Sequence, residues 1–195
     1  MHPGRFKSRV NQAGDTRFVD PDLVEGTLRT GWELLVQIDN PFMRAVYLMF
    51  LVSEVHPFDD GNGRVARIMM NSELVTADQS RIIVPTILRS EYLSGLVAMT
   101  ANARADGLVS VLDFAQRYTS EIDFSDFDAA DRVLVATNAY YNSNAADPAG
   151  IAIELPSRLP AGWQYGVRAS RNGTDRYGTP VPRNSIIDGP GRAAN

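Results

Sequence analysis

His56-Pro-Phe-Asp-Asp-Gly-Asn-Gly-Arg-Val-Ala-Arg67 places a histidine, two aspartates, a Gly-Asn-Gly turn and two arginines within twelve positions. Upstream lies AVYLMFLV (45–52), the longest apolar run of the chain, and downstream VARIMMNSELVTA again has helical character. His56 therefore falls at the end of a buried helix, and Gly61-Asn62-Gly63 at the opening of the next. Two glycines permit a tight turn whose successive N–H groups point into one hollow. The helix N-terminus behind that hollow adds the positive end of its dipole, which suits phosphate oxygens. Arg64 and Arg67, three residues apart on the first helical turn, can hold further phosphate oxygens with their forked guanidiniums.

Asp60 lies one residue before this cradle, where a carboxylate would repel bound phosphates unless a divalent cation bridged them. Mg2+ commonly takes one or two carboxylates together with substrate phosphates. His56 has an ordinary pKa near 6.5 and can accept a proton from an attacking hydroxyl. Phe58 reads as an apolar anchor of the loop, and Asp59 as a surface residue. Taken singly each feature is ordinary: a histidine near a helix end is usually a cap, Asp-Gly-Asn-Gly a turn, an i,i+3 arginine pair a solvated face. Their joint order and spacing between two apolar helices points to Mg2+-assisted transfer from a nucleotide to a hydroxyl.

The rest of the chain narrows the alternatives. Its 195 residues suffice for one well-buried domain with an appendage, and 44% hydrophobic with 22% charged residues is ordinary for a globular protein. A net charge of −4 gives no reason to expect nucleic-acid or membrane binding. The absence of cysteine excludes disulfides, thiol nucleophiles and cysteine zinc sites, and two histidines, His2 and His56, make a histidine-rich metal site an unlikely design. Lys7 is the single lysine among nineteen basic residues, so no Gly-rich loop ends in Lys-Ser/Thr, and arginines and backbone amides must bind any nucleotide. No apolar stretch of signal-peptide kind follows Met1, and the 45–52 run is far too short to span a bilayer; the expected location is the cytoplasm.

The order of elements reads as all-α. Residues 9–18 form two short segments around an Ala-Gly-Asp turn, a small hairpin. Asp20-Pro21 opens a helix to about Gln37, with Leu23, Leu28, Trp32, Leu35 and Val36 at helical spacing. Asn40-Pro41 opens the next, to about Val55, apolar nearly all round. The helix after the motif ends near Asp78. A further helix of about twenty residues follows Pro85, with Ile87, Leu88, Tyr92, Leu96 and Met99 on one face. Others span about Leu108 to Ile122 and 126 to 143. The last 49 residues hold six of the eleven prolines and seven of the fifteen glycines. The organisation is thus a domain over 1–145 and a Pro/Gly-rich tail or small appendage over 146–195.

The twelve-residue stretch resembles the signature of Fic-domain (Fic/DOC-type) proteins: His-Pro-Phe, any residue, Asp/Glu, Gly-Asn-Gly-Arg, two residues, Arg. Every defining position matches, and the resemblance extends from about Arg9 to Ile122. It implies a Fic-type helical core with a hairpin flap, and transfer of AMP from ATP to a Ser, Thr or Tyr hydroxyl of a target protein. By position it implies His56 as general base, Asp60 as Mg2+ ligand, Gly61, Asn62 and Gly63 as the anion nest, and Arg64 and Arg67 on the phosphates. The Arg9 to Phe18 hairpin resembles the flap that aligns the target by strand pairing.

One branch of the family acts as a kinase, with Lys where Gly63 stands and Ala in place of Gly61; the Gly-Asn-Gly here argues for AMP transfer. Relatives that transfer UMP or phosphocholine share the motif. Many members are restrained by a glutamate in the pattern Ser/Thr, three residues, Glu, Gly/Asn. Of the seven glutamates only Glu25 precedes Gly or Asn, and Pro21 stands four residues before it. Three expectations stay open: an unrestrained enzyme, an antitoxin-like partner that supplies the glutamate, or loss of that segment, since the family carries helical sequence before the flap. The rival from another class is a catalytically silent nucleotide-binding or interaction module.

Overall fold

The computed structural model describes residues 4–14, 16–144, 146 and 150–159. Six α-helices and one two-stranded antiparallel hairpin make up the regular structure among them, as the all-α reading with a small hairpin expected. The chain divides into two compact units, Met1–Arg81 and Ile82–Asn195.

The first unit carries the motif. Strands β1 (Gln12–Ala13) and β2 (Thr16–Arg17) pair as Gln12 with Arg17 and Ala13 with Thr16. Gly14 turns the hairpin in the left-handed region, φ +56°, which glycine adopts at no steric cost. Pro21–Leu23 forms a 3₁₀ turn that runs into α1 (Val24–Leu35). Asp20 precedes this turn as expected, but its side chain caps nothing; it accepts from Arg17 Nη2 at 2.7 Å instead.

The inward stripe of α1 is the buried Val24, Gly31 and Leu35 with the partly buried Leu28, a 4-3-4 spacing that makes a narrow seam. Leu23, Trp32 and Val36, expected at the same face, are exposed. Gly31 decides which stripe wins. A Cβ there would come within 2.4 Å of a methyl of Leu51, so glycine lets the next helix, which carries Leu51, approach this closely.

In α2 (Pro41–Val55) the Asn40 side chain accepts from the Met43 N–H at 3.0 Å, the cap that the Asn-Pro pair announced. Ala45, Val46, Leu48, Met49, Leu51, Val52 and Val55 are all buried, so this helix is apolar on several faces because it packs on several sides. Helix α3 (Asn62–Thr76) lies against it, and Arg44 joins Glu73 across the pair at 2.6 Å.

In the second unit a 3₁₀ turn (Thr86–Leu88) leads into α4 (Arg89–Asn102), followed by α5 (Asp106–Ser120) and α6 (Phe127–Ala136). Ile87 and Tyr92 are buried on the expected face. Helix α6 stops at Ala136 rather than near 143, because Asn138 takes the left-handed region (φ +65°) and the Ala139 N–H turns back to the Leu134 carbonyl at 2.9 Å. Tyr118, Ile122, Ala130 and Ala139 form a buried cluster, and Ile153 and Leu155 pack against it. The Ser157 N–H donates to Glu121 and the Asn138 amide to the Ala152 carbonyl, so residues 150–159 are built onto this unit. The remainder of the expected tail, apart from 146, lies outside the described residues. No helix among those described is long and apolar enough to cross a membrane.

Candidate active site

Helix α2 ends at His56, which stands in the left-handed region (φ 49°, ψ 57°) and donates its backbone N–H to Val52. A β-carbon is disfavoured there, so the surroundings must hold it. Nδ1 lies 3.0 Å from the carbonyl oxygen of Ser53. A carbonyl only accepts, so Nδ1 carries the hydrogen and Nε2 keeps its lone pair. Burial lowers the imidazole's affinity for a proton, and the charge of Lys7 lowers it further, against an opposing contribution from the Ser53 bond. A neutral ring with a free Nε2 is what a general base requires.

The Gly61 backbone is left-handed (φ +83°) and serves as the N-cap of α3 without a side-chain cap hydrogen bond. The first helical bonds come from Arg64 and Val65 N–H, both to the Gly61 carbonyl, at 2.9 and 3.0 Å. The amides of Asn62 and Gly63 lie ahead of those bonds, at the end that attracts anions. A Cβ on Gly61 would stand 3.4 Å from Arg64 Nη2, and one on Gly63 3.4 Å from Arg67 Nη1. Both guanidiniums thus reach back over the Gly-Asn-Gly turn, as side chains tilted toward a helix N-terminus do. Arg64 also meets Asp60 at 3.3 Å, with both side chains well exposed, a contact weak enough to exchange for another partner.

Asn62 differs in part from the expected nest. Its side chain is buried, accepts from the Phe58 N–H at 2.8 Å and donates to the Phe58 carbonyl at 2.8 Å. It closes the loop like a buckle, and only its backbone amide remains for an anion. Phe58 packs against Phe6, ring centroids 5.9 Å apart, so it anchors the loop as expected. Asp59 is exposed. Among the described residues no three His, Cys, Asp or Glu side chains gather into a metal cluster, so a cation here would depend on a single carboxylate, Asp60, and on oxygens from its substrate.

Residues outside the motif complete the arrangement. Lys7, nearly fully buried, donates from Nζ to Asn11 Oδ1 at 2.7 Å and to the Val55 carbonyl at 3.1 Å. The Asn11 amide in turn donates to the carbonyls of His56 (3.4 Å) and Phe58 (3.0 Å). The ring of Phe18 stacks on the imidazole. These three lie some forty residues upstream, and only a count of lysines could have drawn notice to one of them.

Within the helical scaffold a half-buried imidazole thus stands beside a Gly-Asn-Gly turn with two guanidiniums over it. Residues 1–74 match the Fic/DOC family model, which bears out the resemblance. The chain is 33% identical over 101 residues to a Caenorhabditis elegans protein named protein adenylyltransferase fic-1, a match over 49% of this chain and 20% of that protein. It is 40% identical over 53 residues to the Drosophila persimilis protein adenylyltransferase Fic, a match over 27% of this chain and 10% of that protein. The matched segments thus span a fifth or less of these relatives' lengths. A crystal structure of a Fic domain containing signaling protein from Bacteroides thetaiotaomicron superposes with a TM-score of 0.50 at 22% identity, over 58% of this chain and 50% of that one, a likeness of fold.

Proposed function

We propose that the 56–67 segment is the active centre of a Mg2+-dependent protein adenylyltransferase, which moves AMP from ATP to a hydroxyl side chain of a target protein. The observation that carries the reading is His56: its Nδ1 is committed to Ser53, its Nε2 bonds to none of the described residues, and it ends the helix that packs on the one bearing the cradle.

In this reading Nε2 takes the proton of the target hydroxyl as its oxygen bonds to the α-phosphorus of ATP. The bond from that phosphorus to the bridging oxygen breaks, and pyrophosphate leaves. The Gly61–Gly63 backbone and the Arg64 and Arg67 guanidiniums hold phosphate oxygens and offset the charge that develops on them. Asp60 fits Mg2+ as a hard, exposed oxygen donor, and the ion would supply charge neutralisation at the phosphates. The target would dock as an added strand on the flap hairpin, whose side chains are largely exposed. An antitoxin-like partner could supply the restraining glutamate missing from this chain, and the cytoplasm remains the proposed location.

The test is which phosphate stays with the target. The protein with Mg2+ and ATP labelled at the α-position is expected to transfer label, whereas label at the γ-position is released as pyrophosphate. Retention of γ-label would mean phosphotransfer, and transfer from UTP in preference to ATP would mean UMP as the group moved. Either outcome refutes the AMP reading.

A further inference from the structure

We infer that Lys7 and Asn11 are positioning residues that tie the base of the flap hairpin to the backbone of 55–58 and thereby hold His56 in place for a hydroxyl presented on the flap. The inference rests on His56 being the base, as proposed above.

Four consecutive carbonyls run through the turn from α2 into the motif, and each has a partner from upstream. Lys7 Nζ holds Val55 O and the Lys7 backbone N–H holds Pro57 O at 2.8 Å, while Asn11 Nδ2 holds His56 O and Phe58 O. Without them a non-glycine residue would be left in the left-handed region with the carbonyls of 55, 56 and 57 short of these donors, while Phe58 O would keep the Asn62 amide. The same Asn11 closes the hairpin, because its carbonyl accepts the Phe18 N–H at 3.2 Å. One residue therefore touches both the strand that would register a target and the turn that carries the base.

The chemistry of Lys7 argues against a merely space-filling part. An ammonium this deeply buried is costly, and burial lowers its proton affinity, with the charge of Asp20 opposing. A methionine would fill the stem's volume without that penalty. What methionine cannot do is donate to Val55 O and Asn11 Oδ1. The groups acting on the imidazole from the elements around it are Lys7, the Ser53 carbonyl and the Phe18 ring.

The test compares wild type, Lys7→Met and Asn11→Ala by NMR of the His56 ring and of its amide-to-Hα coupling, which reports φ. Steady-state transfer is measured beside it. Both variants are expected to stay helical by circular dichroism. Their His56 ring resonances and coupling shift, and kcat falls by about tenfold or more with KM for ATP unchanged, because misplacing one reacting group costs rate rather than nucleotide binding. His56 signals that superimpose on wild type in both variants would overturn the inference. If Lys7→Met does not fold, Asn11→Ala at its half-exposed position decides alone. The NMR readout needs no transfer activity, so a wild-type protein that moves no AMP sinks the proposed function and leaves this result standing or falling on its own.

Discussion

The ring of Phe18 lies flat on the imidazole of His56, with centroids 3.7 Å apart and planes 9° from parallel. One face of the proposed base is thereby sealed from water by a residue next to the hairpin. Burial is the foremost cause of the lowered proton affinity of His56. Protonation removes the base, so the rate falls on the acid side of the His56 midpoint, which lies below the ordinary 6.5. Phe18→Ala admits water, raises the midpoint toward the ordinary value, and moves the acid limb to higher pH. A pH–rate profile between about pH 5 and 8 checks this; an acid limb that stays put contradicts it.

Gly61→Ala tests the cradle. The residue sits at φ +83°, where a Cβ is strained, and that Cβ would lie in ordinary contact with Arg64 Nη2 at 3.4 Å. Left-handed backbone with a Cβ costs about 1–2 kcal/mol, so denaturant titration should register a loss of that order. A strained turn no longer aims its amides as before, and KM for ATP is expected to rise by about tenfold, equivalent to one charge-assisted contact. Unchanged nucleotide affinity would remove the Gly61 turn from the phosphate site.

Asp60→Asn separates the metal from the fold. The side chain is exposed and its partner Arg64 more so, so stability should stay within about 0.5 kcal/mol of wild type. The Mg2+ concentration needed for half-maximal transfer is expected to rise by about tenfold or more. A metal dependence identical to wild type would show that Asp60 is not the ligand.

Gly95→Ala tests the second unit. A Cβ there would stand 2.9 Å from both the Cα and N of Leu108, backbone atoms of α5 that cannot swing aside. Overpacking of this kind costs about 1–3 kcal/mol. The thermal midpoint should fall, and a variant as stable as wild type would mean that α4 and α5 pack more loosely than described.

How much of this could be read beforehand depends on how local each cause is. The motif is twelve contiguous residues, so the placement of His56 at one helix end, and of Gly61 and the two arginines at the start of the next, was legible at once. The Asn40 cap and the Pro41 start were legible for the same reason. The exposure of Leu23, Trp32 and Val36 was not, because it depends on Gly31 meeting Leu51 twenty residues away. The early end of α6 depends on Asn138 taking the left-handed region and Ala139 bonding back to Leu134, a choice that apolar periodicity does not reveal. Within the site itself, the bonds of Lys7 and Asn11 to the motif join residues 45 to 48 positions apart. A polar side chain satisfied by distant carbonyls leaves no pattern in its own neighbourhood.

The central claim is that His56 takes the proton from a hydroxyl as AMP is transferred. The most direct measurement is incorporation of α-labelled AMP by wild type and by His56→Ala, with ATP affinity measured on the same samples. The account predicts label on protein for wild type, none above background for His56→Ala, and equal ATP binding by both, since the cradle at 61–67 is untouched. Transfer by His56→Ala at the wild-type rate would contradict it.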